Sequence, residues 1–292
     1  MNKKDMTFEE IKSDKEAFLR QYGVEELLPQ CKIKWETLVE IGDDYEEKCY
    51  GIGRGNQEYK GEYFNIMQDY IAKIASFKNV HSYRFRIKKT GSLLAKLIRK
   101  SCKYDETYST ENYHQKITDL LGLRILYIFK EDYWPVHQQI MNEYGNQLAQ
   151  DISIKLKAGD DRDTYGDLIR HSSNVRIDEN ETYRSIHYTL YAKKDNIDLL
   201  PRVEIQTRTI FEEGWSEINH KLVYKKDTGN QGLKKTSDVL SSMVGACDTI
   251  GMLMKTFYDT GVRLNNEESK TQENELKEED NVVEVIRNFL RQ

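Results

Sequence analysis

The chain has 292 residues, which suits one large domain or one domain with helical additions. Its composition is that of an ordinary soluble globular protein, no apolar run is long enough to span a bilayer, and the N-terminus M-N-K-K-D-M lacks the apolar core of a signal peptide. The net charge of -5 hides two opposed stretches: 265–280 holds seven acids and two lysines, whereas 84–100 holds seven basic residues and no acid. Such local basicity fits an anionic ligand better than wholesale coating of nucleic acid. Cys31, Cys49, Cys102 and Cys247 are far apart and form no CxxC pair, which argues for free thiols in a reducing cytoplasm and against a zinc site.

Residues 1 to about 80 read as helical with two interruptions. Ile11, Phe18, Leu19 and Tyr22, then Trp35, Leu38, Val39 and Ile41, recur at helical spacing, and a further helix is predicted from Glu62 to Ile74. The glycines of G-I-G-R-G-N-Q at 51–57 have no strand before them and no Lys-Ser/Thr after them, so they mark a loop and not a nucleotide-binding turn. In R-F-R-I-K-K-T-G-S-L-L-A-K-L-I-R-K, Arg86 and Lys88 project to one side of an extended segment, and Gly91-Ser92 turns into a helix. Ser92, Lys96 and Arg99 or Lys100 share one face of that helix, and Leu93, Leu94, Leu97 and Ile98 share the other. A hydroxyl at a helix N-terminus beside several cations suits a polyphosphate; a solvated basic face is the plainer alternative.

I-T-D-L-L-G-L-R-I-L-Y-I-F, 117–129, reads as a largely buried strand with Asp119 at its mouth, either a helix cap or a metal ligand. A helix is predicted to about Leu148, followed by a polar, mobile stretch through Glu181. Y-R-S-I-H-Y-T-L-Y-A-K, 183–193, reads as a strand with Tyr183, Ser185, His187 and Thr189 on one face. In R-V-E-I-Q-T-R-T, Val203 and Ile205 alternate with Glu204, Gln206 and Arg208. Three polar residues in a row line a site or face solvent. The next segment changes period: Phe211, Trp215, Ile218 and Leu222 form one helical face, and Glu213, Glu217, His220 and Tyr224 another. After a turn at 225–232, a long amphipathic helix is predicted from Lys234 to Thr260, with Val239, Met243, Ala246, Ile250, Leu253 and Phe257 as its apolar stripe. The acidic stretch then reads as a solvated linker, and Val282 to Leu290 as a terminal helix.

Four of these segments, in order, resemble RelA/SpoT-type alarmone synthetases in their small stand-alone form. They are R-I-K-K-T-G-S-L-L-A-K, I-T-D-L-L-G-L-R-I, Y-R-S-I-H, and V-E-I-Q-T-R-T with W-S-E-I-N-H-K-L-V-Y-K. The resemblance spans about residues 80–262 and implies an α+β, nucleotidyltransferase-like mixed sheet flanked by helices. Residues 1–79 are then a helical N-terminal extension, and 263–292 an acidic linker with a short terminal helix. The implied reaction moves the β,γ-pyrophosphate of ATP to the ribose 3′-hydroxyl of GDP or GTP and releases AMP. On matching positions, Asp119 and Glu204 would hold Mg²⁺, with Glu204 also helping to deprotonate the 3′-hydroxyl. Arg86 and Arg124 would flank the adenine; Lys88, Ser92 and Lys96 would contact ATP phosphates. Tyr183 would stack on the acceptor base, with Gln206, Arg208 and His220 shaping the acceptor side.

The chain departs from the family's usual Asn-Gly or Ser-Gly before the tyrosine, having Glu181-Thr182 instead. That leaves open relatives that pyrophosphorylate the tRNA 3′ end or use adenine nucleotides as acceptors. No histidine is followed by Asp, so the metal-dependent hydrolase pair, and with it degradation, is not expected. The resemblance also suggests a homo-oligomer. A non-enzymatic nucleic-acid-binding module is the remaining reading; it would leave Asp119 and Glu204 repelling phosphates unless a metal intervened.

Overall fold

Short caps and apolar spacing set the first helices. The computed structural model describes residues 5–51, 61–193, 200–224 and 230–289, with side chains described to residue 261 apart from those of 180, 181 and 224. Helix α1 (Phe8–Ser13) starts at a capping box in which Thr7 and Glu10 satisfy each other's backbone amides. Helix α2 (Lys15–Tyr22) ends at Gly23, whose left-handed φ of 62° an L side chain rarely adopts. Helices α3 (Trp35–Tyr50) and α4 (Glu62–Ile74) follow, so the predicted helical N-terminal region is present. Of the predicted loop at 51–57, all beyond Gly51 lies outside the described residues.

Strand β1 (Ser82–Ile87) leads into α5 (Thr90–Tyr104) and the single turn α6 (Tyr113–Lys116). Strand β2 (Leu121–Tyr127) and α7 (Tyr133–Tyr144) come next. The stretch expected to be polar and mobile is instead built: β3 (Ile152–Lys157), α8 (Gly166–His171) and β4 (Val175–Glu181) occupy it. Its strands were masked in the sequence by side chains that pair with one another. Lys155 reaches Asp178 at 2.6 Å and Ser153 reaches the same carboxylate at 2.7 Å. Strands β5 (Ser185–Tyr191) and β6 (Arg202–Thr209) then lead into α9 (Ile210–Asn219) and a π turn, His220–Tyr224.

The six strands form one mixed sheet in the order β1-β2-β6-β5-β3-β4. Pairing is parallel for β2 with β6 and for β3 with β4, and antiparallel elsewhere. Because side chains alternate across a strand, Leu121, Leu123 and Ile125 join Val203, Ile205, Ile186, Tyr188 and Leu190 on the apolar face. That face and the N-terminal helices share one core, containing Ile11, Phe18, Leu38, Ile41, Met67 and Ile74. The opposite face carries the polar residues.

The last helix, α10 (Gln231–Phe289), continues past the stop expected near Thr260 and through the segment expected to be a linker. Its orientation also differs from the simple apolar-face rule. Val239, Met243, Ile250, Leu253 and Phe257 are exposed, and the residues turned to the body are Ser241, Val244 and Asp248. Polar contacts hold it there: Thr209 Oγ1 donates to Asp248 at 3.0 Å, and Trp215 Nε1 donates to the Ser237 carbonyl at 2.9 Å. Helix α9 behaves alike, since Glu212, Glu213 and Trp215 are buried while Phe211, Ile218 and Leu222 face outward.

Candidate active site

Cross-strand register assembles the polar face. Glu204 on β6 lies opposite Gly122 of β2 and Thr189 of β5; Gln206 lies opposite Arg124 and His187. Gly122 leaves the surface beside Glu204 clear, since a Cβ there would meet only the Arg86 carbonyl at 3.8 Å. Arg86 pairs with that glycine from β1, and Arg84 pairs with Arg124. Alternation alone therefore delivers Arg86, Arg124, Glu204, Gln206 and His187 to one surface.

Asp119 stands just ahead of β2, where the Lys88 amide donates to the Leu120 carbonyl and ties the end of β1 to the mouth of β2 at 2.9 Å. Lys88 Nζ approaches Asp119 Oδ2 at 2.9 Å, and Lys96 Nζ approaches Oδ1 at 2.8 Å. Lys96 comes from α5, one turn beyond Ser92, which lies half-buried in the first turn. Burial alone would raise the Asp119 carboxyl, but the two lysines outweigh it and hold it at about 2. Burial also pulls the Lys88 ammonium below its ordinary value, against the attraction of Asp119. The aspartate is therefore an anion across the physiological range.

Glu204 is held in the charged form as well. Burial opposes ionisation, but His187 and Gln206 overcome it: His187 Nδ1 lies 3.6 Å from Oε1, and Gln206 Nε2 donates to Oε2 at 2.7 Å. Asp119 is near enough to push the Glu204 carboxyl upward. Two anionic carboxylates close together, offering only hard oxygen donors, fit Mg²⁺, which keeps waters and takes phosphate oxygens to complete its shell. No group of three or more His, Cys, Asp or Glu suited to a metal occurs among the described residues.

Arg124 points from β2 to helix α9, where Glu213 Oε1 and Glu217 Oε1 lie 2.8 and 2.6 Å from its Nη1. Burial lowers the guanidinium's affinity for its proton, but the two carboxylates more than restore it. Arg84 sits 3.8 Å from both of the same oxygens. On the other side, Arg208 is buried, donates to Gln206 at 2.5 Å, and lies 5.7 Å from the centroid of the Tyr183 ring. The Tyr183 and His187 rings are 6.1 Å apart.

The residues singled out in the sequence thus fall into three neighbouring groups. Lys88, Lys96 and Asp119 form one, with Ser92 at the helix start and Arg86 exposed on β1. Glu204 with Gln206 forms the centre. Arg208 and Tyr183 form the third. His220 is exposed at the start of the π turn after α9, where it helps hold the Glu217 carboxyl below its ordinary value. Sequence reasoning left out His187, Glu213 and Glu217 as site residues. His187 was legible from its two-residue alternation with Tyr183. The glutamates were not, because their role depends on how α9 crosses β2.

Comparison with known proteins gives a consistent picture. A family model described as "Region found in RelA / SpoT proteins" matches residues 85–229. The chain is 25% identical over 167 residues to "GTP pyrophosphokinase YwaC" of Bacillus subtilis (strain 168), covering 56% of this chain and 67% of that protein. Among solved structures, it is similar to small alarmone synthetase 1 from Bacillus subtilis bound to its product pppGpp, with TM-score 0.45, 22% identity, and coverage of 66% of this chain and 93% of that one. It is also similar to a GTP pyrophosphokinase family protein from Streptococcus pneumoniae, with TM-score 0.44, 20% identity, and coverage of 78% and 97%.

Proposed function

We propose that this chain, whose residues 85–229 match the RelA/SpoT family model, transfers the β,γ-pyrophosphate of ATP to the 3′-hydroxyl of GDP or GTP, forming (p)ppGpp. The 3′-oxygen forms a bond to Pβ, the Pα–O–Pβ bridge breaks at Pβ, and AMP leaves with the bridging oxygen. The observation that carries the reading is the placement of Asp119 and Glu204 between a cationic flank, Lys88 and Lys96, and a polar flank, Gln206, His187 and Arg208.

Each residue has a task suited to its chemistry. Lys88, Ser92 and Lys96 hold the ATP phosphates and Arg86 and Arg124 flank the adenine, so binding ATP requires Lys88 and Lys96 to exchange part of their hold on Asp119 for phosphate oxygens. Glu204, held anionic, accepts the 3′-hydroxyl proton, and Gln206 and His187 fix its orientation. Asp119 and Glu204 would hold Mg²⁺, which would supply neutralisation of phosphate charge. Tyr183 stacks on the acceptor base, with Arg208 beneath its ring and Gln206 and His220 shaping the acceptor side. Widely spaced cysteines without a CxxC pair and nucleotide substrates support a cytoplasmic setting, and no helix among the described residues is long and apolar enough to cross a membrane. The exposed row Val239, Met243, Ile250 and Phe257 on α10 supports self-association of the chain.

An acceptor screen tests the reading. Purified protein, Mg²⁺ and ATP labelled in the β,γ-phosphates are incubated with GDP, GTP, ADP or uncharged tRNA, and AMP and labelled product are followed. Label on GDP or GTP is expected. Label on tRNA or ADP alone would move the chain to another acceptor class, and no transfer to any acceptor would overturn the reading.

A further inference from the structure

The segment that carries the phosphate contacts is held in place from the N-terminal helices. It runs from Lys88 to Ser92 and joins β1 to α5, whose start has no side-chain cap of its own. Four successive residues of it, 88 to 91, each meet a residue that lies before β1 in the chain. The Tyr45 hydroxyl, on α3, donates to the Lys88 carbonyl at 2.6 Å. The Lys89 ammonium donates to Asp5. Thr90, 7% exposed, donates its hydroxyl to Glu46, the residue after Tyr45. At Gly91 a Cβ would lie 2.4 Å from the Tyr22 hydroxyl oxygen and 3.1 Å from Ile11 Cδ1, so α1 and α2 press directly on the first turn. Burial, aided by the Asp5 charge, pushes the Tyr22 hydroxyl up to about 12, and the neighbouring Ser92 pulls against them.

Ties along a short segment fix where the helix after it begins. The Lys88 amide donates to the Leu120 carbonyl at the mouth of β2, and the Lys88 carbonyl accepts from Tyr45, so this residue is tied to the sheet on one side and to α3 on the other. Thr90 and Gly91 then set the direction in which α5 leaves, and with it the places of Ser92 and of Lys96, whose Nζ lies 2.8 Å from Asp119. Tyr45 is fully buried, so removing its hydroxyl leaves the Lys88 carbonyl short of a donor where water does not readily replace it. We infer that Tyr45 and Glu46 of α3 are positioning residues for the ATP phosphates, holding residues 88–91 so that Lys88, Ser92 and Lys96 converge. The inference rests on the reading of those three residues as phosphate contacts, and it makes the N-terminal helices a working part of the ATP site.

The test is titration of the full chain with a non-hydrolysable ATP analogue, alongside acceptor KM and melting temperature. Tyr45→Phe keeps the ring and removes one hydroxyl; it is expected to raise the analogue's Kd by about 5-fold and leave acceptor KM within about twofold. Glu46→Ala removes the acceptor of the Thr90 hydroxyl and should weaken the analogue by a similar factor. Charge alone predicts the reverse, because deleting an anion close to a polyphosphate tightens its binding. Glu46→Gln deletes the same charge but keeps an oxygen for Thr90, and should recover most of the lost affinity. Unchanged analogue affinity in folded Tyr45→Phe and Glu46→Ala proteins would overturn the inference. An equal rise in acceptor KM, which a general structural role would produce, would do so as well, as would a Glu46→Gln protein that binds no better than Glu46→Ala. Should Tyr45→Phe fail to fold, the two Glu46 variants decide alone. Wild-type protein that binds no ATP analogue would sink the reading of the phosphate contacts instead, and is seen before any variant is made.

Discussion

At the scale of single residues, the site is a set of charges already balanced within the protein. Asp119 is satisfied by Lys88 and Lys96, Glu204 by Gln206 and His187, and Arg124 by Glu213 and Glu217. On the proposed reading substrate enters by exchange of partners, an arrangement in which buried charges do not stand alone. The Glu204→Gln variant preserves shape and removes the charge, so turnover should fall by at least about 100-fold while ATP affinity changes little. Isothermal titration with a non-hydrolysable ATP analogue, beside AMP-release assays, checks both halves; normal turnover would dismiss Glu204 from its assigned role. Most of these residues were legible from alternation: Glu204, Gln206 and Arg208 on one strand, Arg86 and Lys88 on another. Glu213 was read only as part of a helix face, because its contact with Arg124 joins residues 89 positions apart.

At the scale of elements, helices α9 and α10 are docked by polar side chains and turn apolar ones outward. Both turn polar residues inward: Glu212 to Arg184, Glu213 to Arg124, Asp248 to Thr209. Apolar spacing marks a face without saying what it meets, and these interfaces are cemented by hydrogen bonds and ion pairs. Asp248 makes the cost measurable. Burial raises its carboxyl from 3.8 to about 6, aided by Glu212 and opposed by the Thr209 hydroxyl, Lys130 and Arg184. The folded state thus binds this proton more tightly than the unfolded chain, so the group's contribution to stability is full below about pH 4 and is lost as pH rises through 6. The difference corresponds to about 3 kcal/mol at neutral pH. Asp248→Asn retains an oxygen for the Thr209 hydroxyl and does not ionise. It should raise the melting temperature by several degrees at pH 8 and by little at pH 4.5. A gain of equal size at both values would show that the carboxyl is not the source.

At the scale of the whole molecule, helices α1 to α4, expected as a helical N-terminal extension, share one core with the sheet. Ile11, Phe18, Leu38, Ile41, Met67 and Ile74 are fully buried, and the Tyr45 hydroxyl donates to the Lys88 carbonyl at 2.6 Å. Thr90 donates to Glu46, and Gly91 approaches so closely that a Cβ would lie 2.4 Å from the Tyr22 hydroxyl oxygen. These side chains stabilise by about 1.5–3 kcal/mol each, which together matches the entire net stability of an ordinary domain, about 5–15 kcal/mol. A chain of residues 80–292 should therefore show no cooperative melting transition by circular dichroism. A sharp transition together with ATP binding would establish the N-terminal helices as a separable layer. The sequence displayed those helices plainly, but which surface they cover is a long-range fact that no local spacing records.

The position of β6 bears on how the chain can be made. Among the described residues it is the last strand in chain order, yet it sits third in the sheet and joins the β1-β2 pair to β5, β3 and β4. Before residues 202–209 emerge, two partial sheets have no ladder between them, and the wait spans the 82 positions from Leu121 to its partner Val203. The strand that closes the sheet is also the one that carries Glu204. A chain halted short of it contains Lys88, Lys96 and Arg124 but lacks both the strand that unites the sheet and the carboxylate on which the proposed transfer depends.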